Sequence, residues 1–194
     1  MDGKRKFTPE TIDELKANEV FVFGSNRNGN HYGGAAKVAY EKFGAEWGVG
    51  EGHTGQSYAL PTLDENMEKV TEDELEDSFA KMLGYADDNR QLTFYVTKVG
   101  CGIAGWDIET VKRCFWKGAD EVSPAPECML IPSNVIIPEE FCVMSIDEHC
   151  SFCEYYESID GFMCCCLLKR RITERKKYCN EFGHNKKINI REFE

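Results

Sequence analysis

Glycines at 100, 102 and 105 fall between two patterns of different period, and glycines in that place can bind an anion. Thr93 to Val99 is β-branched and aromatic, as a buried strand should be, whereas Ile108, Val111 and Phe115 recur at helical spacing. The turn between them is nearly free of side chains, so backbone N–H groups could converge on a phosphate at a helix N-terminus. Such glycines are more often plain turn-formers. A second loop of the same kind alters the odds: Val20 to Phe23 is a short apolar run followed by Gly24, Ser25, Asn26, Gly29, Gly33 and Gly34, then Ala35, Ala36, Val38, Ala39 and Phe43 at helical spacing. Two such loops could face one ligand.

Gly100, Gly102 and Gly105 formally satisfy the GxGxxG dinucleotide fingerprint. That fingerprint belongs in a first strand–helix turn, with an acid about 20 residues on at the end of the next strand. Here it follows residue 90, and Asp120 or Glu121 comes after a helix without an intervening strand. A GxxxxGKS/T loop is missing too, because Gly29 and Gly34 are followed by Ala35 and Ala36.

The second candidate chemistry is metal binding. Ten cysteines are present, and six of them run from Cys150 to Cys179. Clustering of this kind points to metal rather than to a disulfide framework. Cys150 and Cys153 form a CxxC pair, the spacing at which two thiolates reach one ion across a tight turn. One of Cys164, Cys165 and Cys166 offers a third ligand, with Cys166 favoured by the apolar Leu167 and Leu168 that follow, and Cys179 offers the fourth. The segment looks like small four-cysteine zinc modules, with Gly161 in the intervening turn and Phe182 after the last ligand. A structural Zn²⁺ would let a piece with so little core fold. His149 and His184 are substitute ligands, and a redox pair or metal-free cysteines are the competing reading. Cys101, Cys114, Cys128 and Cys142 are expected to be reduced, with Cys114 as core filler on a helix.

The elements that must hold these groups alternate. A helix is expected over Glu10 to Lys16, a strand over Val20 to Phe23, a helix from Gly34 to Phe43, and a long loop from Gly44 to Gln56. Ser57 to Pro61 reads as a strand, and Thr71 to Tyr85 as an amphipathic helix with Thr71 and Glu74 in capping-box spacing. Leu92 to Val99 and the helix Asp107 to Gly118 follow, and at least one of Cys128 to Pro132 and Val135 to Pro138 should close the sheet. The pattern predicts an α/β layered sheet with ligand loops at the strand C-termini. It divides into a body, 1–142, and a Cys-rich module, 147–194.

With 194 residues the chain can bury a sizeable core. No run of about 18 apolar residues exists and MDGKRKF lacks a signal-peptide stretch, so a soluble cytoplasmic protein without a membrane partner is expected. The net charge of −11 resides in the body, because Ser145 to Glu194 holds as many Lys and Arg as Asp and Glu. Nucleic-acid binding by the body is therefore disfavoured. DNA mimicry is a remote alternative, since acids such as Glu68, Asp73 and Asp77 read as the solvated face of a helix built on Leu75, Phe79 and Leu83. The basic cluster from Lys169 to Lys177 is a solvated face or a docking point for an acidic partner.

The body resembles the macrodomain superfamily, in particular a macro-like group among phage and prophage proteins, over roughly residues 19 to 138. Three pieces carry the resemblance: Gly24, Ser25 and Asn26 with Gly33 to Ala36; GQSYALPT from Gly55 to Thr62; and VTKVGCGIAGW from Val96 to Trp106. It implies a macrodomain-like layered mixed sheet flanked by helices, binding ADP-ribose or a related nucleotide. The ligand loops would be Gly24, Ser25, Asn26, Gly33, Gly34 and Ala35 on one side, with the diphosphate closed over by Gly100, Cys101, Gly102, Ile103, Ala104, Gly105 and Trp106 on the other. Asn26 would contact the distal ribose. Trp106 would stack on a ring or pack in the core, and His31 would donate a proton or simply be solvated.

In the related glycohydrolases a Lys and an Asp perform the chemistry. This sequence has Leu63 and Ala104 at those positions, with Asp64, Asp107, Lys37 and Lys98 near by. The leading expectation is thus nucleotide binding, as sequestration or sensing in phage–host conflict. An ADP-ribosyl hydrolase and a protein-interaction module whose tail recruits a partner are the rivals.

Overall fold

Four residues of one strand set the layering. In β1 (Glu19–Asn26), Val20 and Val22 face one way and Phe21 and Phe23 the other, and all four are buried. A strand covered on both faces reads as a continuous apolar run, and this one lies at the centre of its sheet. The computed structural model describes residues 7–122 and 131–141, together with the backbone of 158–159 and 162–163.

In chain order the elements are β1, α1 (Gly34–Lys42), β2 (Gly52–Thr54), β3 (Ser57–Leu63), α2 (Glu72–Asp88), β4 (Thr93–Val96), α3 (Ile108–Val122), β5 (Ile131–Pro132), β6 (Val135–Ile136), a 3-10 turn at Glu139–Phe141, β7 (Ser158–Ile159) and β8 (Phe162–Met163). The main sheet has the order β2-β3-β1-β4-β6. Only β2 runs antiparallel in it. Phe21 is paired with Ser57 on one side and Tyr95 on the other, which fixes the register of all three central strands. A second sheet, β5-β8-β7, is antiparallel throughout.

The side chains sort into two cores. Phe21 and Phe23 pack with Ala36, Ala39 and Phe43 of α1. Val20, Val22, Leu60, Phe94 and Val96 pack with Leu75, Phe79, Val111 and Phe115 of α2 and α3. Helices thus cover both faces, as the α/β reading requires. The α2–α3 contact is close because of Gly118, where a Cβ would stand 2.6 Å from the Glu76 carbonyl oxygen. The Phe79 and Phe115 rings meet edge to face at 5.4 Å beside it.

The capping box of α2 forms: Glu74 N–H donates to Thr71 Oγ1 at 3.3 Å, and Thr71 N–H donates to the Glu74 carboxylate at 2.8 Å. That backbone donor, helped by the Arg27 guanidinium, pulls the Glu74 carboxyl down to about 2. The closing strand is β6, beside β4.

Two expectations change. Glu10 to Lys16 is not helical. A helix that short is marginal by itself, and contacts elsewhere hold the segment open: Thr8 N–H donates to Ile137 O at 2.9 Å, Glu10 pairs with Lys98 at 2.8 Å and Asp13 with Lys42 at 3.0 Å, while Ile12 and Leu15 lie against the α1 core. The Gly44 to Gln56 loop contains a strand, β2, whose residues 52–54 pair with β3.

His53 on β2 stacks on Tyr85 of α2 at 5.4 Å, and burial holds its imidazole below the ordinary 6.5. The unfolded chain then binds the proton more readily than the fold does, so stability is kept above pH 6.5 and lost as pH falls below it. Melting curves from pH 7.5 to 5.5 should show wild type losing more than His53→Gln. Parallel curves would exclude His53 as the source.

Candidate functional site

β1 and β4 are parallel neighbours, and the helices that follow them, α1 and α3, pack on opposite faces of the sheet. A crevice therefore opens at their C-terminal ends, the switch point where open α/β sheets take ligands. Both glycine loops lie there.

They touch. A Cβ on Gly24, at the end of β1, would stand 2.8 Å from the Gly100 nitrogen, and one on Gly33 would stand 2.8 Å from Ile103 Cδ1. Glycine is what lets the loops approach this closely. Thr62 of β3 ties the base of the crevice: its hydroxyl donates to the Ser25 carbonyl at 3.0 Å, and its own carbonyl accepts the Trp106 indole N–H at 3.0 Å.

The second loop is folded by its own backbone, with Trp106 N–H on Gly100 O and Gly105 N–H on Gly102 O, both at 3.0 Å. Among the described residues, the N–H groups of Gly102, Ile103 and Ala104 have no acceptor. The first turn of α1 adds the N–H groups of Gly34, Ala35 and Ala36, which a helix start leaves open. Gly33 brings no side-chain cap, and that turn carries no acid. Lys69 reaches the far rim, its ammonium donating to Gly105 O at 2.6 Å and lying 5.5 Å above the Trp106 ring.

The remaining sequence candidates have other duties. Ser25 is buried and donates to the Gly50 carbonyl. Asn26 is 4% exposed, and both ends of its amide bind the Asn30 backbone, at 2.7 and 3.1 Å. Through these bonds it shapes the first loop, and a ribose contact would have to use the remaining N–H or lone pair of the same amide. Trp106 is 9% exposed, which favours core packing over ring stacking. Cys101 is half-buried, and burial first, then Asp107, pushes its thiol up.

Nor do the stand-in catalytic groups converge. Asp107 caps α3 by accepting the Thr110 N–H at 3.0 Å. Asp64 accepts the backbone N–H groups of Glu68 and Asn66, which hold its carboxyl low. Lys98 lies between Glu10 and Glu140, and the hydrogen bonds to them raise its ammonium well above the ordinary range, the opposite of what a nucleophile needs. Lys37 pairs along α1 with Glu41. His31 is buried rather than solvated, at 2% exposure.

A cleft of about 360 Å³ opens beside Arg27, between β3 and α2. Its charged lining is Arg27, Lys81, Glu51, Glu74 and Asp77, with the cations paired to the acids. Anionic overall, it repels a phosphate that the loop amides would attract.

Sequence reasoning missed two participants: Lys69 lies in a stretch dominated by acids, and Thr62 is one more residue of a buried strand. Only contact across the sheet shows them. Ile103, expected among the ligand-loop residues, is the side chain that spans the loops.

The zinc candidates Cys150, Cys153, Cys166 and Cys179 lie outside the described residues. Within the described residues, Glu72, Glu76 and Cys114 bring three ligand atoms within 4.8 Å of one another. Arg113 and Lys117 already pair with those carboxylates at 2.8 and 2.7 Å, and burial with the acids pushes the Cys114 thiol up to about 11. A protonated thiol between satisfied carboxylates is a poor metal site. No helix among the described residues is long and apolar enough to cross a membrane.

No family model and no curated protein matches the chain. Among solved structures it is similar to a protein of unknown function from Bacteroides thetaiotaomicron, at a TM-score of 0.43 and 11% identity, over 65% of this chain and 90% of that one. A likeness at that score carries no argument about fold or function.

Proposed function

We propose that the body is a macrodomain-like module that binds ADP-ribose or an NAD-derived nucleotide, with the diphosphate held between the two glycine loops. The observation that carries this reading is the meeting of the loops at the C-terminal ends of adjacent parallel strands, where two sets of backbone N–H groups lack acceptors. Lys69 supplies a nearby positive charge in an acidic chain. Ile103, exposed and lying over Gly33 and Gly34, would cover the phosphates.

Binding is favoured over turnover. Leu63 and Ala104 have no ionisable group, and Lys98, Asp64 and Asp107 are engaged elsewhere. Calorimetry against ADP-ribose, NAD and cyclic ADP-ribose isomers, followed by product analysis, tests the reading. Binding without product is expected. No affinity for any of them would overturn it, and turnover of about 1 s⁻¹ or faster, a low-end enzyme value, would establish the hydrolase instead.

The setting we infer is the cytoplasm, that of the host if the chain is phage-encoded, with nucleotide sequestration or sensing as the role. For the Cys-rich module we propose one structural zinc on Cys150, Cys153, Cys166 and Cys179, with a protein partner as its target. Chelation is expected to leave nucleotide binding unchanged, because the five-stranded sheet whose ends carry both glycine loops contains none of these cysteines. Protein purified under reducing conditions without stoichiometric zinc, by elemental analysis, would defeat the assignment.

A further inference from the structure

Three aromatic side chains beside the first glycine loop face solvent: Tyr32 is 76% exposed, Tyr40 48% and Trp47 46%. They form one group. The Trp47 ring lies edge to face with Tyr32 at 4.7 Å and with Tyr40 at 5.7 Å. His31 lies beneath, 6.3 Å from the Tyr40 ring and 6.2 Å from that of Trp47. Its Nε2 donates to the Glu46 carbonyl oxygen at 3.0 Å, while its buried Nδ1 has no hydrogen-bond partner among the described residues. Ile103, 73% exposed, extends the apolar surface from the second loop across Gly33.

We propose that Tyr32 and Trp47 form a stacking platform for the planar base of the bound nucleotide. This rests on the glycine loops holding the phosphates. Tyr32 directly precedes Gly33, so it lies at most about 7 Å along the chain from Gly34. The backbone at Tyr32 therefore lies within about one sugar's length of the open amides of α1. A contiguous exposed apolar patch marks a contact site, and these rings are too exposed to serve the core. The three rings themselves carry no charge, in a chain of net charge −11. Trp106, the other ring at the crevice, is buried with its N–H on Thr62.

The test is calorimetry of wild type, Tyr32→Ala, Tyr32→Phe, Trp47→Ala and Gly102→Glu with ADP-ribose and with inorganic pyrophosphate, which has no base. Stacking on an aromatic side chain contributes enough per base that each Ala variant should weaken ADP-ribose binding about 5- to 100-fold. Tyr32→Phe, which keeps the ring, should bind as wild type does, and pyrophosphate affinity should not change in any of these three. ADP-ribose affinity unchanged in both Ala variants overturns the platform, and if Gly102→Glu still loses binding the phosphate reading survives it. Loss in the Ala variants with Gly102→Glu unaffected keeps the platform and removes the phosphate assignment. No binding of either probe by wild type removes both.

Discussion

Gly102→Glu is expected to weaken ADP-ribose binding by 100-fold or more and to leave the melting temperature within about 2 °C of wild type, roughly the shift that a few tenths to 1 kcal/mol gives in a domain of this size. The fold should tolerate the change because a Cβ on Gly102 meets nothing within 4 Å, and the residue is exposed and needs no left-handed backbone. Binding should not tolerate it. The new carboxylate would stand beside the amides of Gly102, Ile103 and Ala104, either occupying them or repelling the diphosphate. Like charges brought together cost several kcal/mol, and each 1.4 kcal/mol is tenfold in affinity. Gly102→Ala is the control: it has the same backbone constraint without charge, and should stay within about threefold. Undiminished affinity in the Glu variant would remove the phosphate from this loop.

The layered α/β class and most elements were legible in the sequence because they rest on local chemistry. VFVF reads as a strand buried on both faces, and Thr71 with Glu74 marks a helix start that forms as the spacing predicts. Glu10 to Lys16 misled because its helical spacing of Ile12 and Leu15 also fits an extended segment laid against the α1 core. The site was only half legible. Glycine runs reveal where a backbone can approach something, but not what: Gly24 faces the Gly100 nitrogen and Gly33 faces Ile103, contacts about 70 residues apart in the chain. Ser25 and Asn26, expected as ligand residues, also hold loop backbone, and Asp107, near the expected catalytic positions, caps a helix. A hydrogen-bonding side chain near a ligand loop has two possible uses, and only its partner tells which. The exposed aromatics were invisible for the opposite reason, since Tyr32, Tyr40 and Trp47 fit a core as well as a surface.

Gly100→Ala should be the more damaging change to the fold. Gly100 has φ +75, a conformation costing an L-residue about 1–2 kcal/mol. Its added Cβ would also stand 2.7 Å from Trp106 Cδ1 and 3.1 Å from Thr62 Cγ2. The indole cannot swing aside, being buried and hydrogen-bonded through its Nε1 to the Thr62 carbonyl. Overpacking of this kind adds about 1–3 kcal/mol, for a total of about 2–5 kcal/mol and a melting temperature lower by roughly 6–15 °C. The steric part can be isolated. Trp106→Leu removes the obstructing ring atom, so Gly100→Ala should cost about 1–2 kcal/mol less in the Trp106→Leu background than in wild type, leaving mainly the backbone strain. Equal costs in the two backgrounds, measured by denaturant unfolding, would show that the indole does not constrain Gly100. The loop would then owe its shape to backbone hydrogen bonds alone, and Trp106 would have no part in holding the second glycine loop against the first.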